Sequence, residues 1–235
     1  MSQAELGGRQ GRLALVHLVV ERHRPVPIDE LAVVLWGDTP PRTWEPSLRV
    51  VISKLRATLG EVTDGRLSIE RDGGCYQAAA GEVWVDIEAA ANAVDRAEGA
   101  WRRGEVATTW SEAAVAAAIA RRPLLPGEDR PWIDALRTRL RAAHVRALDL
   151  LVRVHLGQGD RELAVALASD LVELEPYREE SHRLLMRAYV LSGERAEAIR
   201  VYGRLRDVLA ADLGIDPSPQ TAALYLDVLR SEPAG

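Results

Sequence analysis

The stretch WGDTPPRTWEPSLRVVISKLRATLG, residues 36–60, sets a Gly/Pro-rich turn ahead of a segment whose apolar and basic side chains are sorted by position. Thr43 stands where an N-cap belongs, Glu45 favours the positive end of a helix dipole, and Pro46 lies in the first turn, where its missing N–H costs nothing. Advancing about 100° per residue from Leu48, Trp44, Val51, Ile52, Leu55 and Leu59 fall within about 60° of it and form one apolar stripe that must pack on a neighbour. The opposite side carries Thr43, Pro46, Ser47, Val50, Ser53, Lys54 and Ala57, with Arg49 and Arg56 on its flank and Arg42 just before it. An ordinary solvated face would carry Glu and Lys there. A small, mostly uncharged surface edged by cations suits a partner that approaches the backbone closely. A helix from Thr43 to Leu59 is about 25 Å long and fits the DNA major groove, with arginines toward the phosphate walls. Val50 then meets a thymine methyl, Ser47 and Ser53 hydrogen-bond to bases or phosphates, and Lys54 reaches a guanine or a phosphate. The same face would also serve for packing against another protein domain.

Upstream, RQGRLALVHLVVERH (residues 9–23) reads as a helix with Leu13, Val16 and Val20 on one face, closed by the prolines of RPVP. A short helix follows over residues 28–36, with Gly37 placed to end it. Downstream, RLSIE, RDGG and CYQA form a hairpin signal, with Asp72-Gly73 suited to a tight turn. Three helices and a hairpin describe a winged helix-turn-helix with a small β-hairpin wing, expected over residues 1–82. Arg66 and Arg71 are the cations the wing can offer to phosphates, although Glu70 and Asp72 flank Arg71.

From Trp84 onward the chain becomes alanine-rich helix. Helices are predicted near residues 86–102, 105–120, 131–156, 160–174, 179–192, 195–213 and 218–230, separated by Gly or Pro breaks. Sliding residues 147–176 by 34 positions pairs Leu150 with Leu184, Leu151 with Leu185, Arg153 with Arg187, Gly159 with Gly193, Arg161 with Arg195, Ala164 with Ala198 and Leu171 with Leu205. Thirty-four residues is the tetratricopeptide period. The fold class is therefore mainly α: a winged helix-turn-helix domain followed by a tetratricopeptide-like all-helical domain over residues 83–235.

The bulk composition narrows function. A net charge of −5 at first argues against a nucleic-acid partner, but residues 1–80 hold ten basic and ten acidic side chains, so the deficit lies entirely in residues 81–235. The single cysteine, Cys75, has no partner for a disulfide and no metal-ligand neighbours at a useful spacing. Histidines 17, 23, 144, 155 and 182 are scattered without HExxH spacing, and LGGRQGR departs from a Walker loop, so neither a catalytic site, a metal nor a cofactor is expected. Trp101, Trp110 and Trp132 could line a groove, but among alanine helices they read as core anchors of the helical domain. No apolar run approaches the length of a membrane span, about 18–20 residues, and the amino end shows no signal-peptide pattern, so a cytoplasmic location and no membrane partner are expected.

VPIDELAVVLWGDTPP (residues 26–41), SLRVVISKLRATLG (47–60), PWIDALRTRLRAAHVRALDLL (131–151) and the segment from EPYREESHRLL to GIDPSP (175–219) together resemble the antibiotic regulatory protein (SARP, AfsR-like) family. The resemblance covers almost the whole chain. It implies an OmpR-type winged helix joined to a bacterial transcriptional activator domain. It also implies a transcriptional activator that binds double-stranded DNA at promoter direct repeats, often as paired protomers, and recruits RNA polymerase. By position, the helix from Thr43 to Leu59 matches the family's recognition helix, and GDTPPR matches the loop that can touch polymerase. Two departures matter. The family usually has several strands before the first helix, and here that sheet is expected to be missing or reduced. The hairpin also reads CYQA where the family favours GYRL, which puts Gln77 at a usually basic wing position. An adaptor that uses the repeat domain and a degenerate winged helix for protein contacts shares all these features and differs only in what the outward face of residues 43–57 touches.

Overall fold

A computed structural model describes residues 6–81 and 83–230 and divides the chain into two compact units. Of the described residues, the first comprises those up to 85 together with 125–135; the second comprises 86–124 and 136–230.

In the first unit, α1 (Gly8–Val20), a two-residue strand β1 (Val26–Pro27), α2 (Ile28–Trp36) and α3 (Trp44–Thr63) precede the hairpin β2 (Leu67–Asp72) and β3 (Cys75–Ala80). The sheet order is β1-β3-β2, antiparallel throughout. β1 pairs Val26 with Tyr76 and Pro27 with Cys75. The sequence predicts only a helix stop there, because two residues hold no alternation to detect and the partner strand lies fifty residues away. Pro27 is tolerated because this is a sheet edge. The hairpin turns at Gly73-Gly74, with φ of +52° and +81°, one residue beyond the predicted Asp72-Gly73, since Asp72 still pairs with Cys75. Two consecutive left-handed residues are what a primed two-residue turn needs.

α3 has 20 residues and runs past Gly60, where the sequence suggests it should stop; Asp64 and Gly65, both at positive φ, end it instead. Its predicted apolar stripe is the inner face: Leu48, Ile52, Leu55 and Leu59 are at most 2% exposed. Burying each contributes about 2 kcal/mol, which makes this stripe the main anchor of the helix. The inner face of α1 differs from expectation. Leu13, Ala14, His17 and Leu18 are buried while Val16 and Val20 are only half-buried. His17 turns inward because its Nε2 lies 2.9 Å from the Glu30 carboxylate and its ring meets Trp132 edge-on at 5.1 Å.

The second unit is all helical among the described residues: α4 (Asp86–Arg102), α5 (Val106–Ala120), most of α6 (Pro131–Gln158), α7 (Arg161–Leu174), α8 (Glu179–Leu191), α9 (Arg195–Leu213) and α10 (Pro219–Arg230). Ala90, Ala93, Ala97 and Ala100 of α4 and Ala113 and Ala116 of α5 are all fully buried. Such small side chains let the two helix backbones approach closely.

The 34-residue repeat is structural. Leu150 and Leu184, Leu151 and Leu185, Ala164 and Ala198, and Leu171 and Leu205 are buried at both copies. Gly159 and Gly193 adopt φ of +75° and +78°, and the residue after each donates its N–H back to the carbonyl of His155 and Tyr189 respectively. α10 is held at both ends. The Glu179 carboxylate accepts from the Ser218 backbone N–H and hydroxyl and from the Thr221 hydroxyl, while Arg195 donates to the Val228 and Leu229 carbonyls at the other end. Trp101 and Trp110 are 39% and 47% exposed, so they are not the core anchors the sequence suggests. Anchoring there falls to the buried alanines.

Candidate nucleic-acid interface

With its stripe buried, α3 turns the remaining surface outward. Pro46, Ser53, Lys54 and Ala57 are exposed, and Val50 is 55% exposed, an apolar side chain left largely open to solvent. Ser47 is half-buried and its hydroxyl donates to the Thr43 carbonyl at 2.9 Å, which leaves its lone pairs to accept. Thr43 occupies the N-cap position, but its side chain makes no capping bond there; at φ −100° and ψ 27° its backbone is outside the extended region that a capping hydroxyl requires.

The cations of the first unit fall into two groups. Arg9 and Arg12 are committed to Glu128, and Arg24 to Glu21 and Glu30, in ion pairs of 2.6–3.1 Å. The Glu30 carboxyl is held below its ordinary range, chiefly by the hydrogen bonds from Arg24, and stays ionised. Around α3 the pattern reverses. Arg42 and Lys54 are exposed and make no ion pair with any described residue. Arg49 reaches Glu45 at only 3.6 Å, with both side chains more than half exposed. Such an exposed pair is worth well under about 1 kcal/mol and yields readily to a phosphate.

Tyr76, 3% exposed, is the hub that the sequence did not single out. The Arg56 guanidinium lies 5.8 Å from its ring centroid and that of Arg71 5.7 Å, so one aromatic ring gathers a cation from α3 and one from β2. Arg49 and Arg71 also line one small notch of about 10 Å³ with Trp44 and Tyr76, which brings helix and wing cations together. Arg56 has a further commitment: its Nε donates to the Ile69 carbonyl of β2 at 2.7 Å. It therefore ties helix to wing, a duty that its helical position alone does not reveal. The strand alternation in CYQA, which turns Tyr76 and Ala78 inward, is the signal that could have found the hub. Gln77 donates to the Arg22 carbonyl at 2.9 Å, so at this position it binds the wing to the end of α1. Arg22 and Arg66 flank an open cleft of about 610 Å³ beside the hairpin.

Among the described residues no group of three or more His, Cys, Asp or Glu could hold a metal, and no helix is long and apolar enough to cross a membrane.

The arrangement is that of a helix with one buried face and one open face, packed beside a β-hairpin wing. Residues 85–229 match the bacterial transcriptional activator domain. The chain belongs to that family. Over 97% of its length this bacterial transcriptional activator domain protein is 30% identical to the regulatory protein AfsR of Streptomyces coelicolor and 29% identical to the transcriptional regulatory protein EmbR of Mycobacterium tuberculosis. It spans 23% of the former and 59% of the latter. Among solved structures, M. tuberculosis EmbR in complex with a low-affinity phosphopeptide superposes with a TM-score of 0.85 at 28% identity, over 98% of this chain and 61% of that one. The fold predicted from the residues, a winged helix followed by a tetratricopeptide-like helical region, is thus the fold shared with that solved structure.

Proposed function

We propose that this protein is a sequence-specific DNA-binding transcriptional regulator, an activator that binds promoter direct repeats as paired protomers and recruits RNA polymerase in the cytoplasm. On this reading it is not an enzyme. Residues 1–82 carry the DNA contacts and residues 83–235 act as the activator domain. The observation that carries the proposal is the two-sidedness of α3: Leu48, Ile52, Leu55 and Leu59 are buried while Val50, Ser53, Lys54 and Ala57 stand open to solvent. The relatives, named as regulators, support the same reading.

In the resulting complex Pro46, Ser47, Val50 and Ser53 face base edges, and Arg42, Thr43, Arg49, Lys54 and Arg71 face phosphates. Arg56 contributes by holding the wing. Incubation of the protein with mixed genomic fragments at two salt concentrations tests this. Retained fragments should share a direct repeat. With about four phosphates neutralised per protomer, affinity should fall about a hundredfold per protomer between 50 and 200 mM salt. Folded protein that retains no DNA, or retains it without salt dependence, would favour the protein-contact adaptor. An Arg49→Ala, Lys54→Ala double variant should remain folded and lose binding; unchanged affinity would remove the proposed groove contact.

A further inference from the structure

Residues 125–135 lie 40 residues beyond the last residue of the wing-bearing segment and inside the matched activator-domain segment, yet they pack with the winged helix as part of the first unit. Their attachment is specific. The Glu128 carboxylate, 3% exposed, accepts from Arg9 Nε at 2.8 Å, from Arg9 Nη2 at 2.7 Å and from Arg12 Nη2 at 3.1 Å, which fastens it to the first turns of α1. Arg130 reaches the other helix: its Nη2 donates to the Leu35 carbonyl at 2.9 Å, with a longer contact from Nη1 to the Val33 carbonyl at 3.5 Å. These are carbonyls of the last turn of α2, a turn that carries no basic residue of its own to meet the negative dipole end. Between the two, Trp132 meets His17 of α1 edge-on, and Ile133 is fully buried. Leu125, 8% exposed, sits at φ +44°, a conformation a leucine keeps only where its surroundings impose it.

The segment is a strap from the start of α1 to the end of α2. Those two helices are the bed on which the stripe of α3 rests, and the end of α2 opens the loop of residues 37–43 that delivers Arg42 and Thr43. The strap is not held by a fully satisfied network. Arg12 Nε, Arg130 Nε and Trp132 Nε1 are buried at this seam without a hydrogen-bond partner among the described residues. Its hold rests on the Glu128 cluster, the Arg130 cap and apolar contact, against the desolvation of those donors.

From this geometry we propose that residues 125–135 are a positioning element of the DNA-binding unit, with Glu128 and Arg130 setting α1 and α2 so that α3 and the 37–43 loop present one fixed surface to DNA. The recognition module is then carried on two separated segments of chain, the second of which comes from within the activator domain. The proposal rests on the DNA-binding reading above, and its test has one arm that does not.

The full-length chain is compared with Glu128→Gln, Arg130→Ala and Arg130→Lys variants, well below the unfolding temperature of each. One arm measures amide hydrogen exchange in α1 and α2; the other measures affinity for a genomic fragment retained by the unaltered protein, as a function of salt. Exchange should accelerate at the start of α1 in Glu128→Gln and at the end of α2 in Arg130→Ala. If the competent arrangement falls to about a tenth of the population, the apparent Kd rises about tenfold. The slope of affinity against salt should stay unchanged, because neither residue meets a phosphate. Arg130→Lys, which can still reach one carbonyl, should recover most of both signals. Exchange identical to the unaltered protein in both variants would overturn the strap itself. Accelerated exchange with unaltered affinity would reduce it to a structural brace and overturn the positioning role. Loss of about 0.9 from the salt slope in Arg130→Ala would instead make Arg130 a direct phosphate contact. Should Glu128→Gln fail to fold, the Arg130 pair decides. If the unaltered protein retains no DNA, the DNA-binding reading and with it the positioning role fall, while the exchange arm still decides whether the strap exists.

Discussion

Removing Arg56 separates two roles that a helical wheel cannot tell apart. As a groove-flanking cation, Arg56 would neutralise a phosphate, and Arg56→Ala would weaken DNA binding, lower the salt slope by about 0.9 and leave stability almost untouched. The structure assigns it to the helix–wing junction. Its Nε donates to the Ile69 carbonyl at 2.7 Å and its guanidinium lies 5.8 Å from the Tyr76 centroid. A charged donor to a carbonyl in this partly exposed setting is worth about 1 kcal/mol, and a cation–π contact near its outer distance limit about 0.5 kcal/mol. Together they predict a loss of about 1.5 kcal/mol, which for a unit of this size lowers its thermal transition by about 6–12 °C. Calorimetry of the full chain reads the shift, and salt-dependent binding reads the slope. Arg56→Lys keeps the charge but not the guanidinium fork, so it should lose stability nearly as much as Arg56→Ala. Both variants should show reduced affinity, because the wing is no longer held, with the salt slope unchanged. A transition at the original temperature combined with a slope lower by one phosphate would refute the latch and return Arg56 to the groove.

Two residues five apart on α3 should behave oppositely. Leu55→Ala, at a fully buried position, should cost the first unit about 3–4 kcal/mol in denaturant unfolding; Val50→Ala, 55% exposed, should change stability by less than about 0.5 kcal/mol while weakening binding to the preferred fragment several-fold. Stability should fall in two stages as pH is lowered. Burial holds the imidazoles of His144 and His182 below their ordinary value, so the unfolded chain takes up protons first as pH falls through about 6.5, and folding weakens. The second stage begins below about pH 4.3. Glu128, held low mainly by Arg9, Glu30, held low by Arg24, and Glu180, held low against burial by Arg183 and Arg153, contribute stability above that range and lose it as they protonate. Circular dichroism of thermal unfolding from pH 8 to pH 3 reads both stages; a transition temperature flat from pH 7 to pH 5 would contradict the histidine stage.

What the residues determine by themselves is whatever depends on short range. The 3.6-residue spacing of Leu48, Ile52, Leu55 and Leu59 defines which side of α3 goes inward, because burying that stripe outweighs any local preference. The 34-residue recurrence of Leu, Gly and Ala defines the helical hairpins, because each repeated pair must fill the same place against its neighbour. What only the tertiary structure decides is how long-range partners use the remaining side chains. β1 exists only because β3 is beside it. Arg56 becomes a latch only because the Ile69 carbonyl and Tyr76 arrive beneath it. Glu128 can sit 3% exposed only because Arg9 and Arg12, over a hundred residues earlier, come to meet it. A carboxylate or guanidinium looks the same in sequence whether it faces water, a carbonyl or a buried partner, and its energy is set by whichever of these the fold brings within about 3 Å.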